Sequence, residues 1–118
     1  MPKDDFLIQC RQAYQLGITP AMHKAKETDI YQAILKTAKS YFIQYLEEEF
    51  YLYAQEGQYL IQLWVAHMLL EFGNPSQKLA AKLLAIIKSY SSDYSASGYT
   101  LNPAVAQQET EWLHNYLK

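Results

Sequence analysis

The stretch QYLIQLWVAHMLLEFGNPSQ, residues 58–77, decides the fold. Residues 58–72 are apolar nearly all round a helix, which marks a helix buried on most sides. Gly73 closes it. Asn74-Pro75 reads as the N-cap and first-turn proline of a following helix, with Gln77 as its capping-box partner. A buried helix that leaves through a tight turn straight into another predicts helices packed on helices. Its most apolar part, residues 63–70, is interrupted by His67 and is too short to span a membrane.

Working outward, Leu79, Leu83, Ile86, Ile87 and Tyr90 form the stripe of a helix over 75–90. Residues 91–102, SSDYSASGYTLN, read as a surface loop tied down by Tyr94 and Tyr99, long for a connection in a compact domain. Asn102-Pro103 then caps a last helix over 103–117 carrying Val105, Glu109, Trp112, Leu113 and Tyr116. Upstream, Asp4 or Asp5 caps a first helix over 4–16 with Phe6, Cys10 and Ala13 at helical spacing. Gly17 suits the position just past its end, and Ile18 the apolar contact that follows. Thr19-Pro20 reads as the start of a new segment.

Residues 20–56 allow two descriptions. One is a single long helix; the other is a short piece, a break near 27–29, and a restart capped by Asp29 with Gln32. In either, Ile30, Ile34, Ala38, Phe42, Leu46, Phe50 and Tyr53 keep the spacing of one helix face, and Gly57 ends or kinks the helix. Nothing alternates with period two, so no strand is expected. The chain therefore reads as all-α: a single domain over 1–118, an antiparallel bundle or short stack of helical hairpins, about five helices. The 58–90 hairpin has no second copy at a fixed period, which a helical-repeat array would require.

The 118 residues carry a net charge of −2, with 11 tyrosines and one cysteine. Near-neutrality, a single arginine and ordinary lysine spacing at Lys78, Lys82 and Lys88 argue against nucleic-acid binding. No basic amphipathic helix offers itself to a membrane surface. Cys10 alone cannot form an intrachain disulfide, so a reducing compartment is expected. The opening MPKDDFLIQC places acids where a secretory signal would place bases, and the protein is read as cytoplasmic.

The charges are unevenly spread. Between Lys39 and Lys78 there is no base, yet Glu47, Glu48, Glu49, Glu56 and Glu71 all fall there. On one long helix, Phe42, Ile43, Leu46, Phe50 and Tyr53 gather on one side. The opposite side collects Tyr41, Tyr45, Glu48, Leu52, Gln55 and Tyr59, flanked by Glu49 and Glu56. Tyrosine supplies contact area and hydroxyls while glutamate steers a basic partner, so these eight residues are the candidate partner-binding surface. The competing reading packs the same stripe against a neighbouring helix of the monomer.

Chemistry-bearing motifs are few. His67 and Glu71, four apart on one face, read first as a buried hydrogen-bonded pair, with a metal or proton site as the alternative. His114 would be a third ligand only if the last helix packed beside them. His23, next to Lys24, reads as surface. The adjacent Glu47, Glu48 and Glu49 diverge around a helix and make a poor catalytic pair. No phosphate loop, zinc spacing or nucleophile elbow occurs, and no cofactor or metal is expected. The sequence thus points to a non-enzymatic protein-binding module, of immunity or antitoxin type, that inhibits a basic protein partner. The alternatives are a self-associating homodimer built on the aromatic stripe, and a small enzyme or ligand binder using His67 and Glu71 in an interhelical pocket.

Overall fold

The computed structural model describes residues 2–91 and 103–117, with side chains from Asp5 onward. Among these residues the chain is all-helical, with no strand. The helices are α1 (Pro2–Leu16), α2 (Asp29–Phe42), α3 (Glu47–Tyr51), α4 (Ile61–Phe72), α5 (Gln77–Ser91) and α6 (Pro103–Tyr116). Short 3₁₀ turns, Ala25–Glu27 and Leu52–Gln55, precede α2 and follow α3. None of these helices is long and apolar enough to cross a membrane. The loop expected over 91–102 lies outside the described residues, apart from Ser91, which closes α5.

The apolar segment is buried as its composition demands, but its helix starts at Ile61 and not at 58, because Tyr59 and Leu60 take left-handed backbone. In α4, Ile61 and residues 63–69 are buried, His67 included. Around it pack Phe6, Cys10 and Ala13 of α1, Tyr31, Ile34 and Ala38 of α2, and Leu79, Leu83 and Ile87 of α5. Val105 and Leu113 of α6 complete the cluster. The main packed pairs are α1 with α2, and α5 with both α4 and α6, an arrangement of helical hairpins.

Punctuation is where the fold departs from expectation. α1 starts at Pro2, so Asp4 and Asp5 lie inside its first turns and do not cap it. Thr19-Pro20 opens no α-helix; the chain makes turns there, and the Thr19 hydroxyl reaches Gln108 Oε1 on α6 at 2.5 Å. α2 is capped by Thr28, whose side chain accepts the Tyr31 N–H at 3.2 Å, and Asp29 becomes the first helical residue. α5 is capped by Ser76, whose hydroxyl accepts the Leu79 N–H at 3.1 Å. Pro75 therefore precedes the cap, and Asn74 lies further out. At α2 and at α5 a β-hydroxyl one or two residues from the expected cap accepts a free N–H instead.

The larger correction concerns 20–56, which is not one helix. α2 ends at Phe42, and the chain turns through 43–46 before α3 begins. The apolar spacing nevertheless continues, because the break returns Phe50 to the same core. Its ring lies 5.2 Å from Phe42 and 4.8 Å from Phe6. A periodic apolar pattern reports which residues are buried, and it survives a corner that keeps them buried. Gly57 does not take the left-handed backbone expected of a kinking glycine. Tyr59 and Leu60 take it, with φ of 56° and 59°.

Candidate functional site

The corner after α2 is built by backbone hydrogen bonds. The Leu46 N–H bonds to the Tyr41 carbonyl at 3.0 Å, and the Tyr45 N–H to the Phe42 carbonyl at 3.0 Å. These two bonds define a Schellman motif, which requires a left-handed residue between the helix and its exit. That residue is Tyr45, at φ 59°. Tyr45 is 89% exposed, and Ile43 beside it is 77% exposed. A bulky aromatic in a left-handed conformation, with most of its ring in water, is unusual on both counts.

Immediately after the corner, Glu47, Glu48 and Glu49 fill the first turn of α3. Three acidic residues there sit at the positive end of the helix dipole, which stabilises a helix of only five residues. Part of the acidic patch is thus local architecture. Glu47 is further tied down, because its Oε2 accepts the Asn74 N–H at 3.3 Å across the turn after α4.

The eight stripe residues do not share one helix face. Tyr41 is half-buried, its hydroxyl 2.7 Å from that of Tyr53 and its ring 5.3 Å from Phe50, so it belongs to the packing over α1. Tyr59 sits beyond the second turn, its ring 5.5 Å from Tyr14 and 5.7 Å from the Arg11 guanidinium. Tyr45, Glu48, Glu49, Leu52, Gln55 and Glu56 are exposed, spread over the corner, α3 and its 3₁₀ extension. Ile43, expected on the inner side with Phe42, belongs to the exposed set. Nothing in the apolar spacing distinguishes it from its buried neighbours.

A second constellation lies inside the molecule. His67 is fully buried. Its Nδ1 lies 2.9 Å from Glu71 Oε2 on the same helix, and its Nε2 lies 2.6 Å from Glu109 Oε1 on α6. Glu71 also accepts the Trp112 indole N–H at 3.2 Å and pairs with Lys26 Nζ at 3.1 Å. The line Lys26–Glu71–His67–Glu109 therefore runs from a 62%-exposed side chain to a fully buried carboxylate. Trp112 packs against the imidazole with ring centroids 4.5 Å apart.

Two hydrogen bonds from one imidazole to two carboxyl groups require two bridging protons. Either the ring is an imidazolium between two carboxylates, or it is neutral and one carboxyl keeps its proton. In both descriptions the trio retains one net negative charge, which Lys26 balances. Burial by itself lowers the imidazole pKa, but the hydrogen bonds to Glu109 and Glu71 outweigh it and hold the ring above its ordinary value. For Glu71, burial pushes the carboxyl up, while His67 and then Lys26 pull it below the usual range.

His67 and Glu71 form the hydrogen-bonded pair their spacing suggested. The third member is Glu109, not His114, which is exposed on α6. Glu109 stands in the apolar stripe of the last helix, and a carboxylate at a core position is the sequence signal that could have found it. Its second oxygen is buried without a hydrogen-bond partner among the described residues, as are the Tyr31 hydroxyl and the Trp64 indole N–H. No cluster of three or more His, Cys, Asp or Glu side chains among the described residues has the geometry to hold a metal ion. Comparison with known protein families, with curated proteins and with solved structures finds no match for this chain.

Proposed function

We propose that this chain is a non-enzymatic protein-binding module of the cytoplasm, of immunity or antitoxin type, that engages a basic protein partner through the corner between α2 and α3. The observation that carries the reading is Tyr45. A left-handed backbone costs a residue with a Cβ about 1–2 kcal/mol. At 89% exposure the ring recovers little of that by packing within the monomer. Strain held at an exposed aromatic is the kind of feature that contact surfaces retain. Glu48, Glu49 and Leu52 lie within the next seven residues, supplying negative charge and apolar area around it. The lone, buried Cys10 fits a reducing compartment.

The test begins with the protein captured from lysate, purified and rebound to the chain in a calorimeter. Tyr45→Ala is expected to weaken binding by about 2 kcal/mol, roughly thirtyfold. Glu48→Lys should weaken it most at low salt, and affinity should fall as salt rises. Neither change should abolish cooperative unfolding. Affinity insensitive to salt and to both substitutions would overturn the proposal. A mass in light scattering that doubles with concentration, and reverts in Glu48→Lys, would instead assign the corner to self-association.

A further inference from the structure

We infer that α6 is a pH-released helix: the proton shared by His67 and Glu109 docks it on α4, and removing that proton lets α6 swing away while α1–α5 stay folded. This device involves neither Tyr45 nor a partner. The apolar core holds α6 lightly. Among the described residues, only Val105 and Leu113 of α6 belong to the buried apolar cluster, whereas α4 supplies Ile61, residues 63–66, Met68 and Leu69. Its other ties are polar, and two converge on one network. Glu109 Oε1 lies 2.6 Å from His67 Nε2, and the Trp112 indole N–H donates to Glu71 at 3.2 Å. The bonds of α6 to Thr19 and to the Ser91 carbonyl involve no buried charge.

The two carboxyl groups on the imidazole differ in what is left to them once the ring is neutral. Glu71 still has the Lys26 ammonium at 3.1 Å and the Trp112 N–H. Glu109 has neither. It is fully buried, and its Oε2 has no hydrogen-bond partner among the described residues. A buried carboxylate that loses its countercharge is strongly destabilised, whichever ring nitrogen keeps the hydrogen. Water reaches it only if a helix moves, and the lightly held helix is the one that carries it. The charged groups facing the ring are Glu71 on α4, Glu109 on α6 and, through Glu71, Lys26 of the first 3₁₀ turn. From the core sides of α1, α2 and α5 come Cys10, Tyr31 and Tyr90, which burial pushes up and keeps neutral. Lys82 and Lys88 of α5, and Glu111 and His114 of α6, are exposed. Burial lowers the imidazole and its two carboxylate bonds raise it further, so the proton leaves above the ordinary 6.5 and release lies on the alkaline side.

The experiment is a methyl ¹H–¹³C NMR titration of the intact protein from about pH 6 to about pH 10, with the His67 ring C–H signals followed in the same samples. The methyl signals of Val105 and Leu113 are expected to lose their dispersed positions at the His67 midpoint, while those of Ile34, Ile61 and Leu63 keep theirs. Glu109→Gln keeps an acceptor beside the ring without a charge and should hold α6 docked throughout. Glu109→Met fills the same volume without a charge and should stay docked too, which serves if the amide variant fails to fold. Unmoved Val105 and Leu113 signals while His67 titrates, or an imidazole that keeps its proton to the end, would overturn the inference. So would the loss of all five residues' signals at one midpoint, or a transition that persists unchanged in the folded variants.

Discussion

Gly17 and Tyr45 occupy the same position of the same backbone motif, one after α1 and the other after α2. After α1, the Ile18 N–H reaches the Ala13 carbonyl at 2.9 Å and the Gly17 N–H reaches the Tyr14 carbonyl at 3.1 Å. After α2, Leu46 and Tyr45 repeat both bonds. The left-handed residue is glycine at φ 75° in the first case and tyrosine at φ 59° in the second. One helix end follows the usual chemistry of the motif, and the other departs from it where the side chain is most exposed.

That pairing predicts opposite effects from converse substitutions. Gly17→Ala should cost about 1 kcal/mol, and only through the backbone, since a Cβ there meets nothing within 4 Å. Tyr45→Gly should raise stability by about 1 kcal/mol while weakening partner binding. Urea denaturation of both variants checks the first half, and calorimetry with the partner the second. A destabilised Tyr45→Gly would show that the ring earns its place within the monomer.

The cap of α5 can be tested directly. Ser76→Ala removes the oxygen that accepts the Leu79 N–H and should cost about 1 kcal/mol. Asn74→Ala, two residues earlier, should change the urea midpoint much less. Equal costs would mean that the helix begins where Asn74-Pro75 suggests.

Glu109 is the residue whose loss should be felt most. Glu109→Ala leaves the His67 Nε2 buried without its partner and opens a hole between α4 and α6, at a cost of about 3–5 kcal/mol. Glu109→Gln keeps an acceptor in place and should cost less. Equilibrium unfolding of the two variants separates the lost charge from the lost hydrogen bond, and a near-neutral Glu109→Ala would refute the network.

The same network sets a pH profile. His67 is held above its ordinary 6.5, so its contribution is fully present below 6.5 and is lost as pH rises through the folded value. Glu71 is held below its ordinary 4.5, so its contribution is present above 4.5 and is lost as pH falls through the folded value. Stability should therefore crest between about 4.5 and 6.5. Urea midpoints taken across pH check the shape, and Glu109→Gln should flatten the alkaline limb. A profile that keeps rising above 6.5 would contradict the hydrogen-bonded imidazole.

The helices were legible because burial leaves a periodic trace. The all-round apolar run of α4, the stripe of α5 and the Gly17 exit of α1 all stand in the sequence and in the fold. The corner at 43–46 was not legible, because Phe42 and Phe50 are buried on both sides of it and their spacing also fits a straight helix. Glycine was the wrong marker for the three unexpected left-handed stretches among the described residues, which Lys24, Tyr45, and Tyr59 with Leu60 occupy. Of the candidate surface, the exposed glutamates and Tyr45 could be named in advance. The removal of Tyr41 into the packing against Tyr53 could not.

By itself, then, the sequence determined that this chain is helical, that 58–72 is its centre, and that its negative charge concentrates around the middle of the chain. Those properties follow from local spacing and composition, which every conformation of the chain shares. Only the tertiary structure decided that α2 stops at Phe42, that Glu109 completes the His67 pair from forty-two residues away, and that Tyr45 points into water. A turn's left-handed residue and a buried hydrogen bond depend on which distant groups arrive beside them. Residue spacing along one segment carries no record of that arrival.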